Sequence, residues 1–137
     1  MHSHILVVRE RTLPQGQGWS PMTWKVLNGA DHIPITLFEA TVALDAGPVY
    51  LQHIIEQEGT DLVEEWRALE ARATVRLCLD WLSRYDELIG ETQLQQGENS
   101  NYHQQRQTDS KLDHKGSPAE QFNMLRIGDN QRYPEFV

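Results

Sequence analysis

Apolar residues recur every three or four positions between residues 61 and 89, which predicts one long amphipathic helix. The recurring positions are Leu62, Trp66, Leu69, Ala73, Leu77 and Trp81, and the stripe is widened by Cys78, Leu82, Tyr85 and Ile89. Thr60 or Asp61 is a candidate N-cap, and Gly90 ends the pattern. A helix of this kind packs on a sheet or on another helix, so we expect its tryptophans and leucines to be core residues.

Three shorter apolar runs predict strands. Residues 4–8 form a continuous apolar run, which is typical of a buried strand with neighbours on both sides. Residues 33–42 alternate and are rich in β-branched and aromatic types, and residues 49–56 repeat that pattern. Together with the long helix, these runs predict an α/β fold of three or four strands packed on one long helix.

Two Ser-Pro pairs mark the starts of shorter helices. Ser20 is expected to cap a helix over residues 22–27, with Pro21 at its first position and Asn28-Gly29 at its end. Ser117 stands three residues before Glu120, which predicts a capping box. The helix that follows would bury Phe122, Leu125 and Ile127.

The stretch between the long helix and the second Ser-Pro pair, residues 93–115, is polar and rich in Gln, Asn, Asp and His. We predict an extended surface segment there, with one short strand near Tyr102. The chain therefore divides into residues 1–92, which hold the sheet and the long helix, and residues 93–137, an extended segment with a short helix.

Composition and charge limit the classes of function that the sequence allows. The chain has 137 residues, with 12 Lys and Arg against 20 Asp and Glu, for a net charge of −8. An acidic chain without a basic patch does not favour generic nucleic-acid binding. Cys78 is the single cysteine, and the early apolar run is too short for a signal peptide or membrane span, so we expect a soluble cytoplasmic protein. No pair of the six histidines has a metal-ligand spacing, and no role is expected for His4 near the N-terminus.

The most distinctive motif is Leu-Pro-Gln-Gly-Gln-Gly-Trp-Ser-Pro at residues 13–21, a glycine-rich loop before a helix start. Such helix starts bind anions, although glycine and proline are also ordinary loop residues. A β-run and Leu-Asp-Ala-Gly-Pro at residues 44–48 follow. In this order the blocks resemble the folate-dependent formyltransferase family, and the Gly-Trp-Ser-Pro form is most similar to its sugar-nucleotide branch. Family-like residues continue at Tyr102, Arg106, Asp109, Leu112, Phe122, Arg126 and Tyr133.

The resemblance implies a partial Rossmann-like domain, namely the C-terminal half of a formyltransferase catalytic domain, followed by its C-terminal segment. It implies transfer of a formyl group from N10-formyltetrahydrofolate to a small-molecule amine, with an amino-sugar nucleotide favoured and methionyl-tRNA as the alternative. Asp45 matches the family's catalytic aspartate. Without the resemblance, the local sequence around Asp45 favours an aspartate that bonds to its own backbone in a turn. The resemblance also implies cofactor contacts by Leu44, Ala46 and Gly47, and a substrate loop formed by Pro14, Gly16, Gly18, Trp19 and Ser20.

The sequence departs from the family in two ways. Arg9 stands at the family's histidine position, Arg11 at a small hydroxyl position, and Val7 where an asparagine is expected. Arginine stays protonated, so it can stabilise an oxyanion but cannot act as a base. The family's earlier βαβ units are not in this sequence, so we expect an open sheet edge that invites self-association or pairing with another chain. Three interpretations remain open: a formyltransferase inactive as this isolated chain, a non-catalytic interaction module, and a truncated reading frame.

Overall fold

The computed structural model describes residues 4–11, 17–18, 20–43, 46–90, 101–102, 104–129 and 132. Its strands are β1 (Leu6–Arg9), β2 (Gln17–Gly18), β3 (His32–Glu39), β4 (Val49–Glu56) and β5 (Asn101–Tyr102). Its α-helices are α1 (Pro21–Leu27), α2 (Val63–Ser83), α3 (Tyr85–Gly90) and α4 (Phe122–Arg126), and a 3-10 turn spans Gln107–Ser110. The predicted mixed α/β class is confirmed.

The main sheet has the order β1-β3-β4, and both of its pairings are antiparallel. β3 is central, and its register places Leu6 opposite Glu39 and Arg9 opposite Thr36. The apolar run of β1 indicated a buried strand, but the strand is half-buried throughout. Among the described residues its neighbour is β3, and its other edge is unpaired. A short parallel pair, β2 with β5, lies apart from this sheet.

The core lies between the sheet and α2. Trp66, Leu77 and Trp81 of α2 are buried there with the inward-facing residues of the strands, Ile33, Ile35, Leu37 and Ile55. Leu69 is only partly buried, and Leu82 is 64% exposed, so the buried stripe is narrower than the sequence pattern predicted. A helix lying on a flat sheet buries a narrower face than one surrounded by other elements.

The predicted single helix is two helices, because α2 ends at Ser83 and α3 begins at Tyr85. The hydroxyl of Ser83 donates to the carbonyl of Asp80 at 3.0 Å. Serine hydroxyls that bond back to a preceding turn compete with the helix ladder and bend it. The start also differs: Glu65 accepts the N–H of Leu62 at 2.7 Å, and Leu62, rather than Thr60 or Asp61, is the N-cap residue.

The two Ser-Pro pairs behave differently. Pro21 is the first residue of α1, as predicted, but Ser20 has φ 49° and ψ 58° and makes no side-chain capping bond. Capping needs an extended backbone at that residue, so the left-handed conformation excludes it. At the second pair the two predicted hydrogen bonds are present: Ser117 N–H donates to Glu120 at 2.9 Å, and Glu120 N–H donates to Ser117 Oγ at 3.3 Å. They close a turn and not a helix start, because α4 begins only at Phe122 and its N-cap is Gln121, so the predicted helix start at Ser117 is wrong.

The C-terminal segment packs back onto α2. The indole N–H of Trp66 donates to the carbonyl of Arg126 at 2.8 Å. The Arg126 guanidinium is itself buried and donates to the Asp61 carbonyl at 2.9 Å and to Gln57 Oε1 at 2.5 Å. Gln105 and Ser110 are also buried, so the expectation of a wholly superficial segment is wrong.

None of the helices in the described ranges is both long enough and apolar enough to cross a membrane.

Candidate functional site

The end of β1 carries the two arginines that stand at family positions. Arg11 N–H donates to the Arg9 carbonyl at 2.9 Å, which closes a tight turn at the strand end. Thr36 Oγ1 donates to the Arg11 carbonyl at 2.6 Å and holds that turn against β3. The Arg11 side chain is 1% exposed, whereas Arg9 is only half-buried and its Nη1 donates to the Val8 carbonyl at 3.3 Å. Arg9 is therefore the one of the two that solvent reaches.

The second part of the candidate site is the loop after β3. Ala46 is exposed and its N–H donates to the Ala43 carbonyl at 3.3 Å. Gly47 is buried, and a Cβ at this position would overlap the carbonyl oxygen of Glu39. A glycine is required here because the loop backbone lies directly against the end of β3. Leu44 and the predicted catalytic Asp45 lie outside the described residues, so their roles stay predictions.

The antiparallel sheet separates these two parts. Arg9 lies opposite Thr36, whereas Gly47 packs against Glu39, which lies opposite Leu6. Three residues of strand separate the two ends, which is about 10 Å. Open α/β sheets bind ligands beyond their strand ends, and on that basis the sequence predicts that Asp45 and the glycine-rich loop share one end of the sheet. The described main sheet is antiparallel. Asp45 and Gly16 both lie outside the described residues, so that expectation stays a prediction.

The predicted substrate loop is described only at its end, because Pro14, Gly16 and Trp19 lie outside the described residues. Gly18 belongs to β2 and pairs in parallel with Tyr102 of β5, where a short strand was predicted. Ser20 is exposed. The loop is thus tied to the C-terminal segment, a pairing between residues about 85 positions apart that no local pattern indicates.

A carboxyl pair behind β1 was missed by sequence reasoning. Burial, followed by a hydrogen bond to Glu10 and the charge of Glu10, raises the pKa of Glu70 to about 8, and Arg67 acts in the opposite direction. On the neighbouring helix, burial and then the charge of Arg11 lower the pKa of Lys25. Charged residues are therefore packed closely beneath the end of β1. The one signal in the sequence is that Glu70 stands four positions after Trp66, on the flank of the apolar stripe.

His4 has a structural role that the sequence did not suggest. Its Nδ1 lies 3.1 Å from Glu39 Oε2, and its ring makes edge contacts with Trp81 and Tyr85 at centroid distances of 5.8 and 5.7 Å. Tyr50 donates to the same Glu39 oxygen at 2.8 Å. Burial, then the hydrogen bond to Glu39, raises the pKa of Tyr50 to about 12. The expectation of no role for His4 is wrong, because it anchors the start of β1.

Comparison with known proteins connects this architecture to a known fold. No family model and no curated protein sequence matches the chain. Among solved structures, methionyl-tRNA formyltransferase from Clostridium thermocellum superposes with a TM-score of 0.75 at 17% identity, over 96% of this chain and 56% of that one. Rv3404c from Mycobacterium tuberculosis, described as a likely sugar N-formyltransferase, gives 0.65 at 20% identity, over 96% and 56%. HypX from Aquifex aeolicus in complex with tetrahydrofolic acid gives 0.70 at 16% identity, over 92% and 22%.

The fold is therefore that of part of a formyltransferase domain, as the sequence motifs implied. The chain spans about half the length of the methionyl-tRNA formyltransferase and of Rv3404c, and less than a quarter of HypX. At these identities the likeness shows the fold, and activity and substrate have to be argued separately.

Proposed function

We propose that residues 1–92 form the C-terminal half of a formyltransferase catalytic domain and that residues 93–137 form a segment packed upon it. The observation that carries the proposal is the superposition on formyltransferases over more than nine-tenths of the chain, with the glycine-rich loop and Asp45 block in the matching order. The reaction would transfer a formyl group from N10-formyltetrahydrofolate to an amine. Gly-Trp-Ser-Pro favours an amino sugar on a nucleotide as acceptor, with methionyl-tRNA as the alternative.

The loop after β3 is compatible with a folate. Gly47 holds the loop against β3 while Ala46 is exposed beside it, so a ligand can approach the loop at Ala46. When bound, the folate supplies the formyl group. In this proposal Leu44, Ala46 and Gly47 contact it, and the Asp45 carboxylate relays the proton that leaves the amine.

Arg9 makes the 137-residue chain a poor catalyst when it is assayed by itself. Its guanidinium can stabilise a developing oxyanion but cannot exchange protons near neutral pH. General acid–base catalysis contributes about 10²–10⁴-fold, so a residue that remains protonated removes a large part of the rate. Arg11 does not replace it, because its side chain is buried.

The test is to incubate the chain with N10-formyltetrahydrofolate and a panel of amino-sugar nucleotides, and to follow the release of tetrahydrofolate. Binding of 5-formyltetrahydrofolate by calorimetry is measured in parallel. We expect binding with negligible turnover, and higher turnover for Arg9→His but not for Arg72→His, a matched change on an exposed part of α2. Robust turnover by the unchanged chain would contradict the proposed inactivity, and absence of folate binding would contradict the cofactor.

A second candidate is an interaction module that docks through β1. The observation that favours it is that β1 is half-buried and has one described neighbour, with Ile5 59% exposed beside it. An open strand edge with apolar side chains pairs readily with another chain. Light scattering would show self-association that Ile5→Lys abolishes.

A truncated reading frame without function predicts instead a chain that does not unfold cooperatively. For the location we propose the cytoplasm, since Cys78 is a free single cysteine.

A further inference from the structure

A groove with a volume of about 320 Å³ lies between the outer edge of β4 and the flank of α2. Its β4 side includes His53, Ile54 and Glu56, and its α2 side includes Arg72 and Arg76. We call it the β4 edge groove. It lies on the opposite side of the sheet order from β1, so it is separate from the candidate site described above.

The β4 edge groove runs beside backbone groups that can pair with another strand. Within the described chain, β4 pairs with β3 alone. Gln57 N–H donates to the Asp31 carbonyl on the β3 side at 2.8 Å. Because N–H and C=O groups alternate between the two edges of an antiparallel strand, Gln52, Ile54 and Glu56 present theirs to the outer edge. β4 is eight residues long and contains neither proline nor lysine, which are the residues that usually protect such an edge.

The positive charge of the groove comes from α2. Arg72 and Arg76 are exposed, and neither forms an ion pair with any described residue. Their four-residue spacing corresponds to about 6 Å along the helix axis. Alternate residues of an extended strand are separated by about 6.6 Å and point to the same face. Two acidic side chains at alternate positions of an added strand therefore have a spacing similar to that of the two arginines.

The opposite face of β4 favours apolar side chains. His53 lies 3.3 Å from Asp80 of α2, and Ile55 is buried in the core beneath that helix. Ile54 must therefore point away from α2, and it is 56% exposed. A strand added to β4 would bring an apolar residue directly across from it, and such cross-strand pairs stabilise sheets.

We propose that the β4 edge groove binds an extended peptide segment of a partner protein in which acidic and apolar residues alternate. The segment adds a strand to β4, with its carboxylates toward Arg72 and Arg76 and its apolar side chains toward Ile54. Repulsion between arginines disfavours a second copy of the chain as the occupant. Pairing two β4 edges about a twofold axis would place both α2 helices on one face, with four arginines facing each other across the axis.

The first test uses the peptide Gly-Val-Glu-Val-Glu-Val-Gly-amide, which carries fluorescein on its N-terminal amine and is titrated with the protein and followed by anisotropy. Two control peptides are matched in composition or length: in one the two glutamates are adjacent, and in the other the backbone is N-methylated at alternate residues. We expect the alternating peptide to bind at least about tenfold more tightly than either control. Raising the salt from about 0.1 M to about 1 M, where the Debye length falls from about 10 Å to about 3 Å, should weaken it.

The second test changes the protein. Arg72→Glu combined with Arg76→Glu should weaken binding at least about tenfold, whereas Lys115→Glu, a single charge reversal at an exposed position near α4, should leave it unchanged. Circular dichroism verifies that each variant is folded. The unchanged protein gives an independent result by NMR hydrogen exchange. The bound peptide should protect the amides of Gln52, Ile54 and Glu56, which face outward.

The proposal is overturned if the alternating peptide does not bind, or if the peptide with adjacent glutamates binds equally well. Protection elsewhere without protection of the three outward amides would also overturn it. Inorganic tripolyphosphate is used as a competitor. If it displaces the peptide, and the bound peptide had not protected the amides of β4, then the groove is an anion site and not a strand-binding edge. If the protein forms a dimer without peptide, and the outward amides of β4 are protected from hydrogen exchange in that dimer, the occupant is a second copy of the chain. None of these outcomes depends on formyl transfer.

Discussion

Replacing Glu70 with glutamine should stabilise the protein at alkaline pH and change little at acid pH. Burial, assisted by Glu10, raises the pKa of Glu70 from 4.5 to about 8. A carboxyl whose pKa is higher in the folded than in the unfolded chain holds its proton more tightly when folded. Its contribution to stability is therefore fully present below about 4.5 and is lost as the pH rises through about 8.

The size of this loss follows from the size of the shift. Each pKa unit corresponds to about 1.4 kcal/mol of unfolding free energy. A rise from 4.5 to about 8 would correspond to on the order of 5 kcal/mol for a fully buried carboxyl. Glu70 is only half-buried, so solvent screening reduces the expected loss to on the order of 2 kcal/mol between acid and alkaline conditions. Because Glu10 is hydrogen-bonded to Glu70, this loss belongs to the pair and not to Glu70 alone. Glutamine keeps the shape and an N–H donor toward Glu10 but cannot ionise.

The assay is urea denaturation at several values between about pH 5 and about pH 9, for the unchanged protein, Glu70→Gln and Glu64→Gln. Glu64 is an exposed residue of the same helix and serves as the control. We expect the advantage of Glu70→Gln to grow with pH to on the order of 2 kcal/mol, and Glu64→Gln to follow the unchanged protein. Parallel curves for all three proteins would refute the reasoning.

Three further changes test the packing. Gly47→Ala should cost at least about 2 kcal/mol because its Cβ has no room, whereas Gly90→Ala, with open space around it, should cost nothing; equal unfolding midpoints would contradict this. Leu77→Ala should cost about 2–5 kcal/mol, and Leu82→Ala should be close to neutral because that side chain is exposed; similar losses in urea would show that the helix faces are assigned wrongly. In an ultraviolet titration, Tyr50 should ionise only near pH 12, and Tyr50→Phe should remove that late step; no late step in the unchanged protein would refute the predicted burial.

The sequence by itself determined the elements whose signals are local. Alternation of apolar and polar residues placed β4 at residues 49–56, and it placed the start of β3 at Ile33, one residue after the start in the structure at His32. Pro21 marked the first residue of α1, and Ser117 with Glu120 specified two reciprocal hydrogen bonds, because each depends on backbone geometry within one turn; the helix itself begins later, at Phe122. The order of the motifs also indicated the formyltransferase fold, and the superposition bears this out.

Tertiary structure decided which of the apolar and charged residues are buried. Leu77 and Leu82 both belong to the stripe of the long helix, and only the position of the sheet determines that the first is buried and the second exposed. Arg11 is an ordinary charged residue in the sequence, yet the turn held by Thr36 buries it. Glu10 and Glu70 stand 60 positions apart, and they meet only in the folded chain, where α2 packs on the sheet.

For the candidate site, the sequence determined the chemistry of single positions, and the fold determined their distances. That Arg9 cannot act as a base follows from its side chain alone. That Arg9 and Gly47 lie about 10 Å apart along the strands follows from the antiparallel register of β1 and β3, which pairs residues about 30 positions apart. Pairing between distant strands depends on the burial of both faces and on the loops between them, and no short stretch of sequence specifies it.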